Sequence, residues 1–299
     1  MKVLVTGSSG FVGKKLCQRL EQLNHEVFRL VRREASGKNE IQWDPKNGKL
    51  KAKKLHGIEA VIHLAGQNVA GGLWTQSYKD KILLSRSSAT ETLANAILSC
   101  ETKPDIFISS SGANFYGCQR AGILTESSGS GGGFLAEVCQ AWEKASEALE
   151  KNGVRRVIMR FGAVLDFEGG MLKKMKPAFM TGLGGTLGKG HQYLPWISRE
   201  DLIEALIAPL KNHKMRGVFN AAAPQLITNS QFTKAFADTL KRPACIPAPA
   251  FLLKLLPGEM AKNIFLCDLK LDSSKLLNSG FQFKHHDIIQ CLKDLHKKT

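Results

Sequence analysis

Three glycines near the start of the chain have the spacing of a phosphate-binding turn. Gly7, Gly10 and Gly13 follow an apolar run at residues 3–5, and apolar side chains then recur every three or four positions up to residue 23. This order of strand, turn and helix is typical of a dinucleotide site, in which the second glycine lets a pyrophosphate approach the backbone. The start of the helix also favours an anion. The pattern predicts dinucleotide binding, with a glycine turn that binds nothing as the alternative.

Two arginines end the next predicted strand, at residues 25–31. Proteins that prefer NAD usually have an acidic residue near this point, whereas an arginine suits the additional 2′-phosphate of NADP. Because Arg32 stands here, we expect NADP as the cofactor. The alternative is that Arg32 and Arg33 are two solvated arginines in a loop.

Small and hydroxyl-bearing residues end two further apolar runs. Ala65 and Gly66 follow one run, and Ser109–Ser111 end the other. The C-terminal ends of parallel strands border the ligand crevice of such a sheet. We therefore expect the small residues to let a cofactor pass closely and a serine hydroxyl to contact a substrate oxygen, with capping of the strand end as the alternative. Arg86 is either a phosphate or carboxamide contact or a plain surface arginine.

A doubly wound parallel sheet of the Rossmann type would bring these residues together. Apolar runs alternate with helical periodicity along the first half of the chain, which predicts an α/β fold. We expect an NADP-binding domain over residues 1–168, to which 196–221 return, and a smaller substrate-side lobe formed by 169–195 and 222–299. The glycine-dense loop at 182–190 is either a mobile segment that closes over a ligand or a tightly packed turn.

The totals of the sequence limit the function classes. The 299 residues are 43% hydrophobic and 23% charged, which is ordinary for a globular protein. The net charge of +16 is spread along the chain without a recognised nucleic-acid motif, so we expect no specific nucleic-acid partner. No apolar run is long enough to predict a membrane span. Seven scattered cysteines without a CxxC pair predict reduced thiols, a cytoplasmic protein and no bound metal.

Motifs along nearly the whole chain carry a resemblance to a known family. They are TGSSGFVG at 6–13, HLAGQN at 63–68, Ser85-Arg86, SSSGANFYG at 109–117, FLAEVCQAWE at 134–143, MRFGAVLD at 159–166, GLGG at 182–185 and GKGHQYLPWISRED at 188–201. With these motifs the chain resembles the extended short-chain dehydrogenase/reductases, and more closely their atypical branch of nucleoside-diphosphate-sugar epimerase-like proteins. The C-terminal region, with its IPAP segment, is similar to the small domain that ends such proteins.

The resemblance implies roles for individual residues. From the sequence and the resemblance together, the cofactor-binding residues that we expect are Gly7, Gly10, Phe11, Val12, Gly13, Arg32, Leu64, Ala65, Gly66, Arg86, Ser109 and Val164. The substrate-binding residues that we expect are Gln67, His191, Gln192 and Trp196, and the catalytic candidates are Ser111 and Tyr116. For Tyr116, which follows the strand end, packing is the alternative to catalysis.

The helix at 134–150 departs from the family pattern. Extended members carry a tyrosine and a lysine four residues apart on this helix, but here the two possible registers offer Phe134 with Val138 or Leu135 with Cys139. Such pairs cannot shuttle a proton in the usual way. The sequence therefore leaves two hypotheses. One is an NADP-dependent epimerase or oxidoreductase, as a monomer or homodimer, that acts on a sugar-nucleotide-like or other small polar molecule. The other is an NADP(H)-binding sensor or regulatory protein with little or no turnover.

Overall fold

The computed structural model describes residues 1–118, 121–244, 258–264 and 266–298. The strands are β1 (Lys2–Thr6), β2 (Glu26–Val31), β3 (Glu40–Gln42), β4 (Ala60–His63), β5 (Ile106–Gly112), β6 (Ile123–Leu124), β7 (Arg155–Phe161), β8 (Ala163–Asp166), β9 (Trp196–Ser198), β10 (Gly217–Ala221) and β11 (Lys270–Leu271). The helices are α1 (Phe11–Gln22), α2 (Gln76–Leu84), α3 (Ser87–Leu98), α4 (Phe134–Lys144), α5 (Glu147–Lys151), α6 (Gly170–Met180), α7 (Arg199–Lys211), α8 (Asn229–Leu240), α9 (Gly258–Ile264), α10 (Ser274–Asn278) and α11 (Ile288–Lys297). Short 3₁₀ turns cover Ala52–Leu55 and Ala113–Tyr116.

A seven-stranded sheet forms the centre of the fold, in the order β10-β7-β5-β4-β1-β2-β3. The strand β1 pairs in parallel with β2 on one side and with β4 on the other. The chain therefore winds outward in both directions from β1, which is the doubly wound topology whose switch point accepts a dinucleotide. The predicted Rossmann-type α/β fold is confirmed.

The chain divides into two compact units. The first, called unit 1, comprises Met1–Ser111, Glu137–Met159 and Ile203–Val218. Its core includes a cluster in which α3 packs on the central strands through Leu93 and Ile97, both fully buried. The predicted helix at 78–100 is two helices here, since α2 ends at Leu84 and α3 begins at Ser87. At the break, the Ser85 hydroxyl donates to the Ile82 carbonyl at 3.0 Å.

The second unit, unit 2, comprises Gly112–Ala136, Arg160–Leu202 and Phe219–Thr299. It contains two small parallel pairs, β8 with β9 and β6 with β11. In its core, α8 packs against α6 through the aromatic residues Phe232, Phe236 and Phe179. The domain limits expected from the sequence differ from these contact-defined units and stay a prediction. The IPAP segment at 246–249 lies outside the described residues.

One pair of cysteines corrects a sequence expectation. We expected only reduced thiols, but Cys118 and Cys267 of unit 2 form a disulfide, with their Cα atoms 4.7 Å apart. The two residues are 149 positions apart in sequence, so their spacing could not reveal the pairing. Of the other cysteines in the described part, Cys17, Cys100, Cys139 and Cys291 are not disulfide-bonded. No helix among the described residues is long and apolar enough to cross a membrane.

Candidate functional site

The glycine turn after β1 is built from backbone alone. Gly7 adopts the left-handed region at φ +67°, which glycine enters without strain, and its carbonyl accepts a hydrogen bond from the Gly10 amide at 2.9 Å. Gly10 is the N-cap of α1 and offers no side chain to the helix amides. The first turn of α1 contains no acidic residue. This end of the helix therefore has the positive dipole and lacks any negative side chain that would compete with an anion.

Close packing also requires glycine at positions 13 and 7 of the turn. A Cβ on Gly13 would lie 2.2 Å from the Gly7 carbonyl oxygen, so no larger residue fits without moving the backbone. A Cβ on Gly7 would lie 2.9 Å from the carbonyl of Leu64. The turn thus packs directly on Leu64 and Ala65, the two residues expected beside the adenosine ribose. We call residues 7–13 with Leu64 and Ala65 the cradle.

A buried chain of hydrogen bonds supports the cradle at Leu64 and Ala65. The Thr6 hydroxyl oxygen accepts from the amides of Leu64 and Ala65, each at 3.1 Å. It lies 2.8 Å from Nδ1 of His63, whose Nε2 lies 2.9 Å from the Thr90 hydroxyl. Thr6, His63 and Thr90 are all fully buried. The sequence analysis missed this chain because Thr6 and Thr90 lie far from His63 in sequence.

The hydrogen bond at Thr90 determines the donor and the acceptor in each of the other hydrogen bonds of this chain. The Thr90 hydroxyl donates to the Arg86 carbonyl at 2.6 Å, so it must accept from Nε2 of His63. Nδ1 then has no proton and accepts from Thr6. The imidazole is neutral, because burial, with a smaller contribution from the charge of Arg86, lowers the pKa of His63 to about 3.

Arg86 lies between α2 and α3, at the N-cap position of α3. Its Nη1 donates to the Ile82 carbonyl at 3.0 Å, and its guanidinium lies 4.9 Å from the centre of the Trp142 ring. A Cβ on Gly66 would be 3.0 Å from the guanidinium carbon, so the glycine makes room for it. Burial lowers the pKa of Arg86. The structure thus brings Arg86 and Gly66, both expected at the cofactor, into contact.

Gln67, expected to bind substrate, is held in the loop after β4. Its amide nitrogen Nε2 donates to the Tyr78 hydroxyl at 3.2 Å, and its backbone amide donates to the Ser85 hydroxyl at 2.9 Å. Tyr78 in turn donates to the Asn68 carbonyl at 2.6 Å. The segment HLAGQN is therefore tied to α2, and Gln67 has a defined position rather than a free side chain.

The two arginines after β2 differ in their partners. Arg33 forms a bidentate pair with Glu40 at 2.6 and 2.8 Å, and these bonds are the main cause that lowers the pKa of Glu40 to about 2. Arg32 is exposed, and no carboxylate in the described part of the chain pairs with it. Only Arg32 is therefore uncommitted at the position that selects between NAD and NADP.

The three serines at the end of β5 use their hydroxyls differently. Ser109 donates to the Ser110 carbonyl and Ser110 donates to the His63 carbonyl, each at 3.1 Å. Ser111 instead donates to a carboxylate oxygen of Glu143 on α4 at 2.7 Å. All three serines are buried. Ser111 is thus the one member of the group whose hydroxyl contacts a charged side chain, and Glu143 was not singled out from the sequence.

Tyr116 of unit 2 is part of a closed polar cluster. The ring is fully buried; its hydroxyl donates to Oδ1 of Asn220 at 2.7 Å and accepts from Nη1 of Arg160 at 2.9 Å. The Arg160 guanidinium also lies 3.4 Å from the centre of the Phe115 ring. Burial raises the pKa of Tyr116. This arrangement favours the packing alternative, because both hydrogen-bonding directions of the phenol are occupied.

The substrate-side candidates of unit 2 have different environments. Trp196 is fully buried in the core, where its indole nitrogen donates to the Gln225 carbonyl at 3.2 Å, so stacking on a ligand is not supported. Gln192 donates to the Leu187 carbonyl at 3.0 Å, whereas His191 is exposed. Val164 lies in β8 and pairs with Ile197 of β9.

The glycine-dense loop of unit 2 is closely packed at two points. A Cβ on Gly184 would lie 2.3 Å from the Phe179 ring, and one on Gly190 would lie 2.2 Å from the Ser230 hydroxyl. These contacts favour tight packing over a mobile closing segment. No group of three or more metal-ligating side chains occurs in the described ranges, and the expectation of no metal stays a prediction.

Comparisons with known proteins identify the family of the chain. The NAD dependent epimerase/dehydratase family matches residues 3–222, and a domain of unknown function, DUF1731, matches residues 248–295. The chain belongs to this epimerase/dehydratase family. The family and the C-terminal domain predicted from the motifs are thereby confirmed.

Three relatives cover almost the whole chain. The epimerase family protein Mb2239 of Mycobacterium bovis is 35% identical over 290 residues, which is 97% of this chain and 96% of that protein. The structure of human epimerase family protein SDR39U1 with NADPH has a TM-score of 0.92 at 30% identity and covers both chains completely. A nucleoside-diphosphate sugar epimerase from Corynebacterium glutamicum has a TM-score of 0.82 at 32% identity, over 99% of this chain and 58% of that one.

The α4 helix departs from the family's Tyr/Lys pattern in the structure as in the sequence. Leu135, Val138 and Cys139 are all buried and none is an acid or base of the usual kind. The charged residue of α4 that contacts an expected site residue is Glu143, one turn beyond Cys139, which accepts a hydrogen bond from Ser111. A sequence signal existed, since Glu143 ends the motif FLAEVCQAWE, but no spacing rule connects it to a serine 32 positions earlier.

Proposed function

We propose that the protein binds NADP(H) in the cradle of unit 1 and acts as an epimerase-like oxidoreductase on a small polar molecule. The observation that carries this proposal is the contrast between the two arginines after β2. Arg33 is committed to Glu40, whereas Arg32 is exposed and has no carboxylate partner among the described residues. A guanidinium without a partner at this position suits the 2′-phosphate of NADP. Membership of the epimerase/dehydratase family and the NADPH in the human relative's structure support the proposal.

The residues of the cradle fit a dinucleotide. Gly10 offers no side chain where a pyrophosphate would approach, and the N-terminus of α1 contributes a positive dipole. Thr6 orients the amides of Leu64 and Ala65, the two residues that we propose to lie beside the ribose. Ser109, Arg86, Phe11, Val12 and Val164 are the further cofactor contacts that we propose. When bound, the nicotinamide would supply hydride transfer.

Arg32→Ala tests the cofactor assignment, and Arg33→Ala is its matched control. A charge-assisted hydrogen bond contributes roughly 1.5–3 kcal/mol, so Arg32→Ala should weaken NADPH binding by about 10- to 150-fold and leave NADH binding within about twofold. Arg33→Ala should change NADPH affinity less than threefold, because Arg33 is held by Glu40. Calorimetric titration of both cofactors into the three proteins measures these changes. Equal affinity of the wild type for NADPH and NADH would contradict the proposal.

A sugar nucleotide or similar small polar molecule is the substrate class that we propose. The Corynebacterium glutamicum relative is a nucleoside-diphosphate sugar epimerase, which supports this class. Ser111 is the residue that we propose to contact the reacting group, and Gln67, His191 and Gln192 are proposed to contact the remainder. Ser111→Ala should abolish any turnover while NADPH affinity stays within about threefold. Loss of both together would show that Ser111 instead supports the cradle.

A second candidate is an NADP(H)-binding sensor with little or no turnover. It is favoured by α4, where apolar residues replace the usual proton-transferring pair, and by Tyr116, whose hydroxyl is fully engaged. The absorbance of protein-bound NADPH, followed with a panel of carbonyl compounds and 4-keto sugar nucleotides, separates the two functions. Oxidation of NADPH by any of them would support the oxidoreductase, and a stable signal with all of them would favour the sensor.

A further inference from the structure

The contact between Ser111 and Glu143 sets the direction of a proton. The hydroxyl of serine has one proton and two lone pairs, and an ionised carboxylate accepts hydrogen bonds but donates none. At 2.7 Å from the carboxylate oxygen of Glu143, the proton of Ser111 points toward Glu143. The other face of the Ser111 oxygen then carries lone pairs only. Ser109 and Ser110 also donate their hydroxyl protons, but their acceptors are backbone carbonyls, which cannot take up a proton as a carboxylate can.

We propose that Glu143 is a positioning residue that makes Ser111 a hydrogen-bond acceptor toward the ligand and takes up the proton that the ligand releases. This inference rests on the proposed function, since it assigns the group of the substrate that meets Ser111. That group is a hydrogen-bond donor, and an alcohol is the donor whose oxidation the proposed function requires. A ketone oxygen at the same place would face lone pairs and would be disfavoured.

The proton step balances within these two residues. The O–H bond of the ligand alcohol breaks and its proton forms a new O–H bond with the oxygen of Ser111. The original O–H bond of Ser111 breaks, and that proton forms an O–H bond with the carboxylate of Glu143. The C–H bond of the alcohol carbon would break and its hydride would pass to the oxidised nicotinamide cofactor of the proposed function, which is the oxidant. The electron pair left on the ligand oxygen would then form the second bond of the carbonyl group. Glu143 ends as the neutral acid, so the proton stays beside the site without a tyrosine on α4.

A purely structural contact is the competing explanation, because the same hydrogen bond joins α4 to β5. Glu143 also receives bonds at its backbone, since the Ser146 hydroxyl and Nη1 of Arg156 donate to its carbonyl at 3.1 and 3.2 Å. Glu143→Gln separates the explanations. Glutamine has the same shape and can still bond Ser111, but its amide group can also donate. Ser111 would then be free to point its own proton at the ligand.

Infrared difference spectra at pH 7 test the contact without any ligand. The spectrum of wild type minus Ser111→Ala should show a shifted carboxylate stretching band, because Glu143 loses a hydrogen-bond donor. The same subtraction in a Glu143→Gln background should show no carboxylate band. A band that is absent from the first subtraction, or present in the second, would overturn the assignment. This measurement does not depend on cofactor binding.

An alcohol and a ketone of similar shape test whether Ser111 accepts a hydrogen bond from a ligand. Cyclohexanol and cyclohexanone are titrated against the NADPH-loaded protein and followed by ligand-observed NMR. The alcohol should bind about tenfold more tightly than the ketone to wild type, as one net hydrogen bond allows, and within twofold of the ketone to Glu143→Gln. Equal binding in wild type, a preference that survives Glu143→Gln, or binding of neither probe would overturn the proposal.

A direct titration with NADPH on the same preparations distinguishes failure of the proposed function from failure of this inference. If NADPH does not bind, the proposed function fails, and the infrared spectra still decide whether Glu143 accepts the hydrogen bond of Ser111. If NADPH binds and the probes show no polarity, the function stands and the inference fails.

Discussion

The cradle and the end of β5 are built in opposite ways. In the cradle the important feature is the absence of side chains, since Gly7 and Gly13 let backbone segments touch at distances where a Cβ would clash. At the end of β5 the important feature is which group accepts the hydroxyl proton of each serine, since Ser109, Ser110 and Ser111 have three different acceptors. The first site is set by shape and the second by hydrogen-bond direction.

This difference predicts how substitutions destabilise each region. A substitution in the cradle adds atoms where none fit, so its cost is steric and independent of pH. A substitution in the hydrogen-bonded regions removes a partner, so its cost depends on burial and on the protonation of what is left. The chain from Thr6 through His63 to Thr90 lies between the two, because it uses side-chain protons to orient the amides of the cradle.

The largest expected effect is a steric one at Gly13. Gly13→Ala would place a Cβ 2.2 Å from the Gly7 carbonyl oxygen, so the turn must open or α1 must shift. We expect a loss of about 3 kcal/mol of unfolding free energy or more, at the upper end of overpacking costs. Gly10→Ala is the control, because its Cβ would lie 3.2 Å from the same oxygen, and we expect a loss of less than about 1 kcal/mol. Urea unfolding measures both, and equal losses would contradict the distinction.

An intermediate effect is expected from acid at His63. The pKa of His63 is lowered to about 3 in the folded protein by burial, whereas the ordinary value is 6.5. The unfolded chain therefore binds one proton more between these pH values, and stability falls as pH decreases below 6.5. The contribution is about 1.4 kcal/mol per pH unit, and it is fully present above pH 6.5.

His63→Gln provides the comparison for this pH dependence. The amide can accept and donate as the neutral imidazole does but does not titrate, so the slope of unfolding free energy against pH should decrease by about one proton between pH 4 and 6. Urea unfolding at several pH values measures the slope. An unchanged slope would show that His63 is protonated in the folded protein and that the order of protons in the chain is different.

Much of the cradle could be predicted because its signals are local. The spacing of Gly7, Gly10 and Gly13 and the apolar run before them lie within thirteen residues, and periodicity alone predicts the strand and helix around them. The same holds for the α/β class. Arg32 was singled out from its place at the end of a strand, but only the pairing of Arg33 with Glu40 distinguishes the two arginines.

The polar contacts could not be predicted because they join residues distant in sequence. Ser111 and Glu143 are 32 positions apart, and Tyr116 and Asn220 are 104 positions apart. Trp196 shows the opposite difficulty, since an aromatic residue near a glycine loop suits both a ligand surface and a core. Only its burial and the Gln225 carbonyl on its indole nitrogen favour the core.

The smallest expected effects are graded along the three serines of β5. Ser111→Ala removes a hydrogen bond to a carboxylate and should cost about 1.5 kcal/mol of unfolding free energy. Ser110→Ala removes a neutral bond to the His63 carbonyl on the neighbouring strand and should cost about 1 kcal/mol. Ser109→Ala removes only a local bond to the adjacent carbonyl, so we expect about 0.5 kcal/mol. Urea unfolding at pH 7 measures the series. Because the three side chains are equally small and all buried, a cavity term would be similar for each, and the order reports the acceptor. Equal costs at the three positions would mean that packing, and not the direction of the hydrogen bonds, determines stability at the end of β5.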